Sequence, residues 1–276
     1  MIKSFLKYHV KDRLVLAHQA RALKHNAQPP ILVFTMAKVG SLSVYHSLKK
    51  SGLESVFHIH SLNEQEVQAS IDFCAEHGIY PDSRSPVFLL NKALKNNKRK
   101  FKIISLFRNP IERNISAFFD AFKIYMGVTP TNYGGDMQAL VKAFHQKVNH
   151  NYAVNWYDTH FLEGTGLDVY QTPFNTEKKY TVLENNRVEV ILIDSQMDDS
   201  KKERLIADFL GLSHFALQNV NLTSQAKHAQ LYSNFKAHIR FDKTYINQQL
   251  DSKYFNHFFT EEDKKGLIER WGKGNF

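Results

Sequence analysis

Apolar positions in this chain fall into short unbroken runs separated by longer stretches of helical spacing. Ile31-Leu32-Val33-Phe34-Thr35, Val56-Phe57-His58-Ile59-His60 and Ile103-Ile104-Ser105-Leu106-Phe107 read as strands, continuous enough for a sheet covered on both faces. Between them, Ser41 to Lys50 has helical spacing. Asn63 with Glu66 three residues later opens another helix in the manner of a capping box. Pro110 sits at the first turn of a helix reaching Tyr125, since proline there forfeits only an amide that no helix would use. Farther on, 137–147 reads as a helix, and Thr181-Val182-Leu183 and Val188–Ile193 as strands around an Asn185-Asn186 turn. Helices near 200–210, 225–238 and 261–271 finish the chain. This alternation predicts an α/β domain with a central, mainly parallel sheet flanked by helices.

Residues 1–29 stand apart as a basic helix over 2–25 and a linker, leaving 30–276 as one α/β domain. The helix sets Ile2, Phe5, Leu6 and Val10 among lysines and arginines, and Asn26-Ala27-Gln28-Pro29-Pro30 stops it. It reads as a packed appendage, with a membrane-surface element as the alternative. The charge run over 92–102 reads as a solvated connection into the next strand.

Composition narrows the classes. With 43% hydrophobic and 13% aromatic residues among 276, the chain has material for a core, which excludes wholesale disorder. Cys74 is the only cysteine, so an internal disulfide, a four-cysteine zinc site and a redox dithiol are all excluded. No apolar run approaches the roughly 18 residues of a membrane span, and Leu14 to Ala17 is too short for a secretory core. A reducing, cytoplasmic setting is therefore expected, peripheral to the inner membrane face if 2–25 meets lipid. Lys and Arg outnumber Asp and Glu 36 to 27, a surplus of +9 that points to an anionic ligand.

The chemistry concentrates in the turn after the first strand, Met36-Ala37-Lys38-Val39-Gly40-Ser41-Leu42-Ser43. A tight turn from a parallel strand into a helix leaves the helix's first amides unpaired at the sheet's C-terminal edge, where the helix dipole adds to them. Gly40 permits close backbone approach, Ser41 and Ser43 add hydroxyls, and Lys38 adds a full charge. The turn is neither a Walker A loop nor a dinucleotide fingerprint, because the lysine precedes the glycine and no G-x-G-x-x-G occurs. Arg108 ends the third strand at the same edge, and Ser116 follows two helical turns on, a pair suited to a second phosphate.

Together, Lys38-Val39-Gly40-Ser41 and Arg108-Asn109-Pro110-x-x-Arg113-x-x-Ser116 resemble the cofactor motifs of sulfotransferases that use 3′-phosphoadenosine 5′-phosphosulfate (PAPS), in the same order. The resemblance implies a P-loop-NTPase-like three-layer fold. It also implies a 5′-phosphosulfate site at Lys38 to Ser43 and a 3′-phosphate site at Arg108 and Ser116. PAPS would be the donor, adenosine 3′,5′-bisphosphate the product, and no metal is implied. The likeness is closer to carbohydrate enzymes than to cytosolic aryl and steroid ones, whose loop has a proline before the lysine and Thr-Thr-Trp after the glycine. Their C-terminal glycine-rich loop has no counterpart here. Asn155-Trp156-Tyr157-Asp158 is similar to the N-x-W-[YF]-[SD] segment of the capsular polysaccharide synthesis group, which points to a sugar or polysaccharide acceptor. Asn155, Trp156 and Tyr157 are the acceptor-binding candidates.

His58 and His60 share one side of the second strand by alternation, and His60 lies nearer its C-terminal end, where α/β active sites form. The pair resembles one in uronosyl 2-O-sulfotransferases, which makes His60 the candidate base, His58 the second choice, and Glu76, His77 and Glu112 the reserves. Lys38 is the candidate for charge at the bridging oxygen. Lys253, Tyr254 and His257 are candidates to close over the nucleotide, and Asp194 reads as a fold interaction. Asn114-Ile115-Ser116 and Asn221-Leu222-Thr223 would be glycosylation acceptors in a secretory lumen. The rival readings are a nucleotide-dependent kinase of related fold and a non-catalytic polyanion binder. Scattered positive residues with no nucleic-acid module argue against nucleic acid.

Overall fold

The computed structural model describes residues 12–25, 28–76, 86–96, 100–218 and 229–273. Five strands form one sheet: Ile31–Phe34 (β1), Val56–Ile59 (β2), Phe101–Phe107 (β3), Tyr180–Glu184 (β4) and Val188–Asp194 (β5). Their order is β2-β1-β3-β5-β4, parallel except for β4, which runs antiparallel to β5 as an edge hairpin. Every residue of β1 is buried, as its unbroken apolar run requires of a strand covered on both faces. Register aligns the strand ends. Phe34 pairs with Ile59, and Phe107 with Asp194, so β1, β2, β3 and β5 all end at one edge.

The helices are Asp12–His25 (α1), Ser41–Lys50 (α2), Glu64–Glu76 (α3), Val87–Asn96 (α4), Pro110–Asp120 (α5), Phe122–Met126 (α6) and Met137–Lys147 (α7). Tyr152–Trp156 (α8) continues through a π turn, Tyr157–Phe161, into Leu162–Thr165 (α9). Asp199–Leu210 (α10), Ala229–His238 (α11), Lys243–Leu250 (α12), Lys253–Phe258 (α13) and Glu261–Trp271 (α14) follow. The expected strands and helices are present within the described residues, 2–11 and 225–228 lying outside them, while α4, α8, α9, α12 and α13 are additional. The expected helix to Tyr125 breaks at Ala121, which turns Phe122 toward Phe118 and Tyr133 at ring separations of 5.7 and 5.6 Å.

α5 is the central helix. Its residues Pro110 to Ser116, with Phe118 and Phe119, are buried, and Phe118 packs against Phe119, Phe144 and Phe235. Each fully buried phenylalanine contributes about 1.5–3 kcal/mol. Asn63 does cap α3, accepting from the amides of Gln65 and Glu66 at 3.0 and 3.2 Å. The box does not close, because the Glu66 carboxylate accepts from Ser61 instead. Of the basic N-terminal segment, α1 lies within the described residues. It packs on the sheet through buried Ala22 and Leu23, and Ala22 accepts from Ser55 Oγ at 2.8 Å. Among the described residues no helix is long and apolar enough to cross a membrane.

Candidate functional site

The turn from β1 to α2 is held from outside by its carbonyl groups. Thr35 O meets His60 Nδ1 at 2.7 Å, Ala37 O accepts from Arg113 Nε at 3.1 Å, and Lys38 O from Arg108 Nη1 at 3.4 Å. In a planar trans peptide the N–H points opposite the carbonyl, so the Lys38 and Val39 amides face away from the two arginines. Lys38 and Gly40 both have left-handed backbone, with φ of 72° and 84°. A lysine there is strained by roughly 1–2 kcal/mol, and such strain gathers at ligand sites. Gly40 is the N-cap of α2 and no side chain caps the helix. The result is a concave backbone turn of the kind that binds anions.

The predicted cofactor residues divide by role. Val39 is buried, so its backbone alone faces the turn, while Leu42 is exposed. Ser41 is buried and its Oγ lies 2.8 Å from His58 Nε2. Ser43 is half-buried in the first turn of α2, its amide bonded to Gly40 O at 3.1 Å. Lys38 Nζ rests on Asp120 Oδ1 at 2.8 Å, an ion pair open to solvent. Ser116 is buried in α5. Arg108 and Lys38, from motifs far apart in the chain, thus stand on one rim because β1 and β3 are parallel neighbours.

Arg113, a position of the second motif, is buried. It donates to Ala37 O, bonds Asn114 Oδ1 at 3.1 Å and stacks 4.2 Å over the Tyr152 ring. It therefore props the loop. Tyr254 is not a lid residue. It is fully buried, and its hydroxyl accepts from Arg108 N at 3.1 Å and donates to Arg108 O at 2.6 Å. Lys253 is tied to Asp158 at 2.7 Å and His257 packs on Tyr170, so of the three it is Tyr254 that braces Arg108. Asp194 takes the Gln196 amide and Lys179, a fold interaction as expected. Asp120 carries no signal of its own in the sequence, whereas Arg113 is a named position of the second motif and Tyr254 a lid candidate whose part is to brace.

His58 and His60 stand side by side, ring centres 4.6 Å apart. Lost hydration, then repulsion from His60 and His46, holds His58 down at about 3. Lost hydration also lowers His60, against the pull of the Thr35 carbonyl. Both are neutral imidazoles near pH 7. His60 must donate from Nδ1 to Thr35 O, which makes Nε2 the bare, proton-accepting nitrogen. Beyond the histidines opens a cleft of about 730 Å³, with Tyr45, His46, His58, His60, Glu66 and His160 in its wall. Glu66 Oε2 lies 3.0 Å from His160 Nδ1.

Two expectations for the acceptor are corrected. Trp156 and Tyr157 are 0% and 1% exposed, so neither ring has a face to offer a sugar. The Trp156 indole instead donates to His60 O at 2.9 Å and the Tyr157 hydroxyl meets Ser105 Oγ at 3.2 Å, which fixes the end of β2 and the middle of β3. Asn155 is exposed. The motif also aligns differently, because Val154 stands two residues before Trp156. Trp156-Tyr157-Asp158 carry the likeness and Asn155 does not. Among the reserve bases, Glu76 is exposed on α3 and His77 lies outside the described residues. Burial pushes Glu112 up, but Arg108, Lys236 and Arg270 outweigh it and hold the carboxylate below its usual range, which makes it a counter-ion and no base. Asn114 is fully buried, its amide donating to His150 O at 3.0 Å, so it has no surface for a glycan; Asn221 lies outside the described residues. Among the described residues no His, Cys, Asp and Glu cluster forms a metal site.

Residues 132–260, just under half the chain, match the family model NKWYS, described as a putative capsular polysaccharide synthesis protein. The matched stretch includes Trp156 of α8 and Tyr254 of α13, which brace His60 and Arg108, and excludes the loop and Arg108 themselves. No curated protein and no solved structure matches the chain.

Proposed function

We propose that this chain is a PAPS-dependent O-sulfotransferase acting on a hydroxyl of a sugar or polysaccharide, on a P-loop-NTPase-like three-layer fold. The observation that carries the reading is the meeting of two motifs, with Arg108 Nη1 3.4 Å from the carbonyl of residue 38, at the edge where His60 is pinned to Thr35. An uncapped helix, a strained turn and two cations on one rim fit a ligand with two separated anionic groups. PAPS supplies the activated sulfuryl group when bound.

The loop amides and the Ser41 hydroxyl, the latter positioned by His58, hold the 5′-phosphosulfate, and Arg108 with Ser116 holds the 3′-phosphate. Lys38 leaves Asp120 to meet charge developing on the bridging oxygen. His60 Nε2 takes the acceptor's proton as the acceptor oxygen bonds to sulfur and the bond from sulfur to the bridging oxygen breaks. Electrostatics and positioning do most of the work in such transfers. The acceptor enters by the cleft beyond His58 and His60, whose Tyr45, Glu66 and His160 offer an aromatic face and hydrogen bonds to sugar hydroxyls. The family match supports a capsule-type glycan. Buried Asn114 supports a cytoplasmic setting, since a glycan there is incompatible with the fold.

Calorimetric titration with adenosine 3′,5′-bisphosphate tests the reading. The expected result is binding by the native chain, and loss of it in Lys38→Ala and in Arg108→Ala. A native chain that takes up no bisphosphate sinks it.

A further inference from the structure

Glu112 is 6% exposed and carries three cations: Arg108 Nη2 at 3.0 Å on one oxygen, Arg270 Nη1 at 2.8 Å and Lys236 Nζ at 3.7 Å on the other. Three positive charges against one negative leave a fixed surplus of two. Glu112 is the ion-pair partner of all three among the described residues. Hydration relieves the surplus only at Arg270, which is 54% exposed, for Arg108 and Lys236 are 23% and 22% exposed. Nor are the side chains free to spread. Arg270 lies 4.9 Å over the Trp271 ring, and Lys236 lies 5.8 Å from it and 5.5 Å from the Tyr232 ring. Lost hydration lowers the Lys236 pKa, Glu112 opposes this, and Arg270 and Arg108 lower it again.

Packing alone does not call for such a cluster. One arginine would neutralise Glu112, and every further cation confined there adds repulsion in a medium that screens it less than water does. The arrangement is understandable if a dianion completes it. The cations come from three places: the residue just after β3 and the last turns of α11 and α14. Arg108 is shared with the turn, since its other amino group reaches Lys38 O. The cluster and the turn are therefore adjacent stations on one rim.

We propose that Lys236 and Arg270, with Arg108, form a binding site for a phosphate monoester dianion, and that α11 and α14 thereby supply half of the grip on the phosphorylated ribose of the nucleotide. Assignment of the dianion to the nucleotide rests on the sulfotransferase reading; the anion site itself does not. Lys236 and Arg270 belong to neither sequence motif.

The test is a Lys236→Met/Arg270→Met double variant of the full chain, whose methionines keep apolar stems over the rings. It is titrated with adenosine 3′,5′-bisphosphate and with adenosine 5′-phosphosulfate, which lacks the 3′-phosphate. Affinity for the bisphosphate is expected to fall about 100-fold or more, as loss of two charge-assisted bonds implies, with the phosphosulfate unaffected. The thermal midpoint should hold or rise, because Arg108 and Glu112 remain as a balanced pair; Arg270→Lys alone should recover part of the affinity. Equal affinities in variant and native chain overturn the proposal and leave the sulfotransferase reading standing. So does an effect confined to the KM of an acidic glycan. If the native chain binds neither nucleotide, a titration with inorganic phosphate, followed through the Nε–Hε resonances of Arg108 and Arg270, reads the site by itself. Shifts in those resonances uphold the anion site, and their absence overturns it.

Discussion

Two strand–turn–helix units meet at Lys38 and Arg108, and they close their helices in opposite ways. Between β1 and α2 the chain takes six residues, two of them left-handed, and arrives at Gly40 with no side chain over the helix end. Between β3 and α5 it takes two. Asn109 Oδ1 accepts from Glu112 N at 2.9 Å, and Pro110 fills the next position, where no amide is needed. The first unit leaves backbone donors for a ligand, while the second spends its donors on itself and presents a guanidinium instead. A helix N-terminus offers itself to an anion only where its cap is missing. The capped unit can still serve the site, because a stiff, well-closed turn holds Arg108 steady, with Tyr254 bracketing its peptide.

Removing the group that both units frame should have the largest effect. His60→Ala is expected to cut kcat by about 10²–10⁴-fold, the usual worth of a general base, with affinity for adenosine 3′,5′-bisphosphate unchanged. The sign of the pH dependence follows from the lowered pKa of His60. The base works when neutral, so the native kcat/KM should stay flat from pH 8 down to 6.5, the ordinary histidine value, and fall only below that, as acid protonates Nε2. A limb above 6.5, or retained turnover in His60→Ala, moves the base elsewhere.

The open turn is the next place to break. Nothing lies within 4 Å of a Cβ placed on Gly40, so Gly40→Ala meets no clash and suffers only from its φ of 84°. That costs about 1–2 kcal/mol, or roughly tenfold in nucleotide affinity if the turn relaxes toward an ordinary conformation. Gly211→Ala is the control. It has φ of 70° and equally open surroundings, but closes α10 away from the rim. It should lower the thermal midpoint similarly and leave binding intact. Equal loss of binding in both variants would mean that the uncapped turn has no special part.

Much of this geometry was legible because backbone rules govern it. Unbroken apolar runs marked β1 and β3, parallel pairing then set Lys38 and Arg108 on one edge, and alternation put His58 and His60 together. What escaped was set by packing across long separations. Trp156 and Tyr157 are acceptor candidates on a short motif alone, and a composition rich in rings does not say which of them are buried; where α8 runs into the π turn, both point inward against Phe34 and Tyr254. Lys236 and Arg270 carry no motif, and only the docking of α11 and α14 brings them to Glu112. Arg113 is in the sequence a motif position and no more, and its part as a prop follows only from a helix that proves to be buried through most of its length.

The smallest expected effect isolates the cap itself. Asn109 is buried, and its side chain serves one amide at the start of α5. Asn109→Ala should cost about 1 kcal/mol for the cap, rising toward 2–3 if the buried Glu112 N–H is left without a partner. Asn109→Asp should recover the loss, since aspartate caps as well as asparagine and its charge suits the helix's positive end. If the second unit only positions Arg108, the alanine variant lowers the unfolding midpoint in urea while bisphosphate affinity changes by less than about threefold, well under 1 kcal/mol. Should affinity fall tenfold while stability holds, Asn109 would itself be touching the ligand, and the contrast between a donor-giving turn and a self-satisfied one would fail.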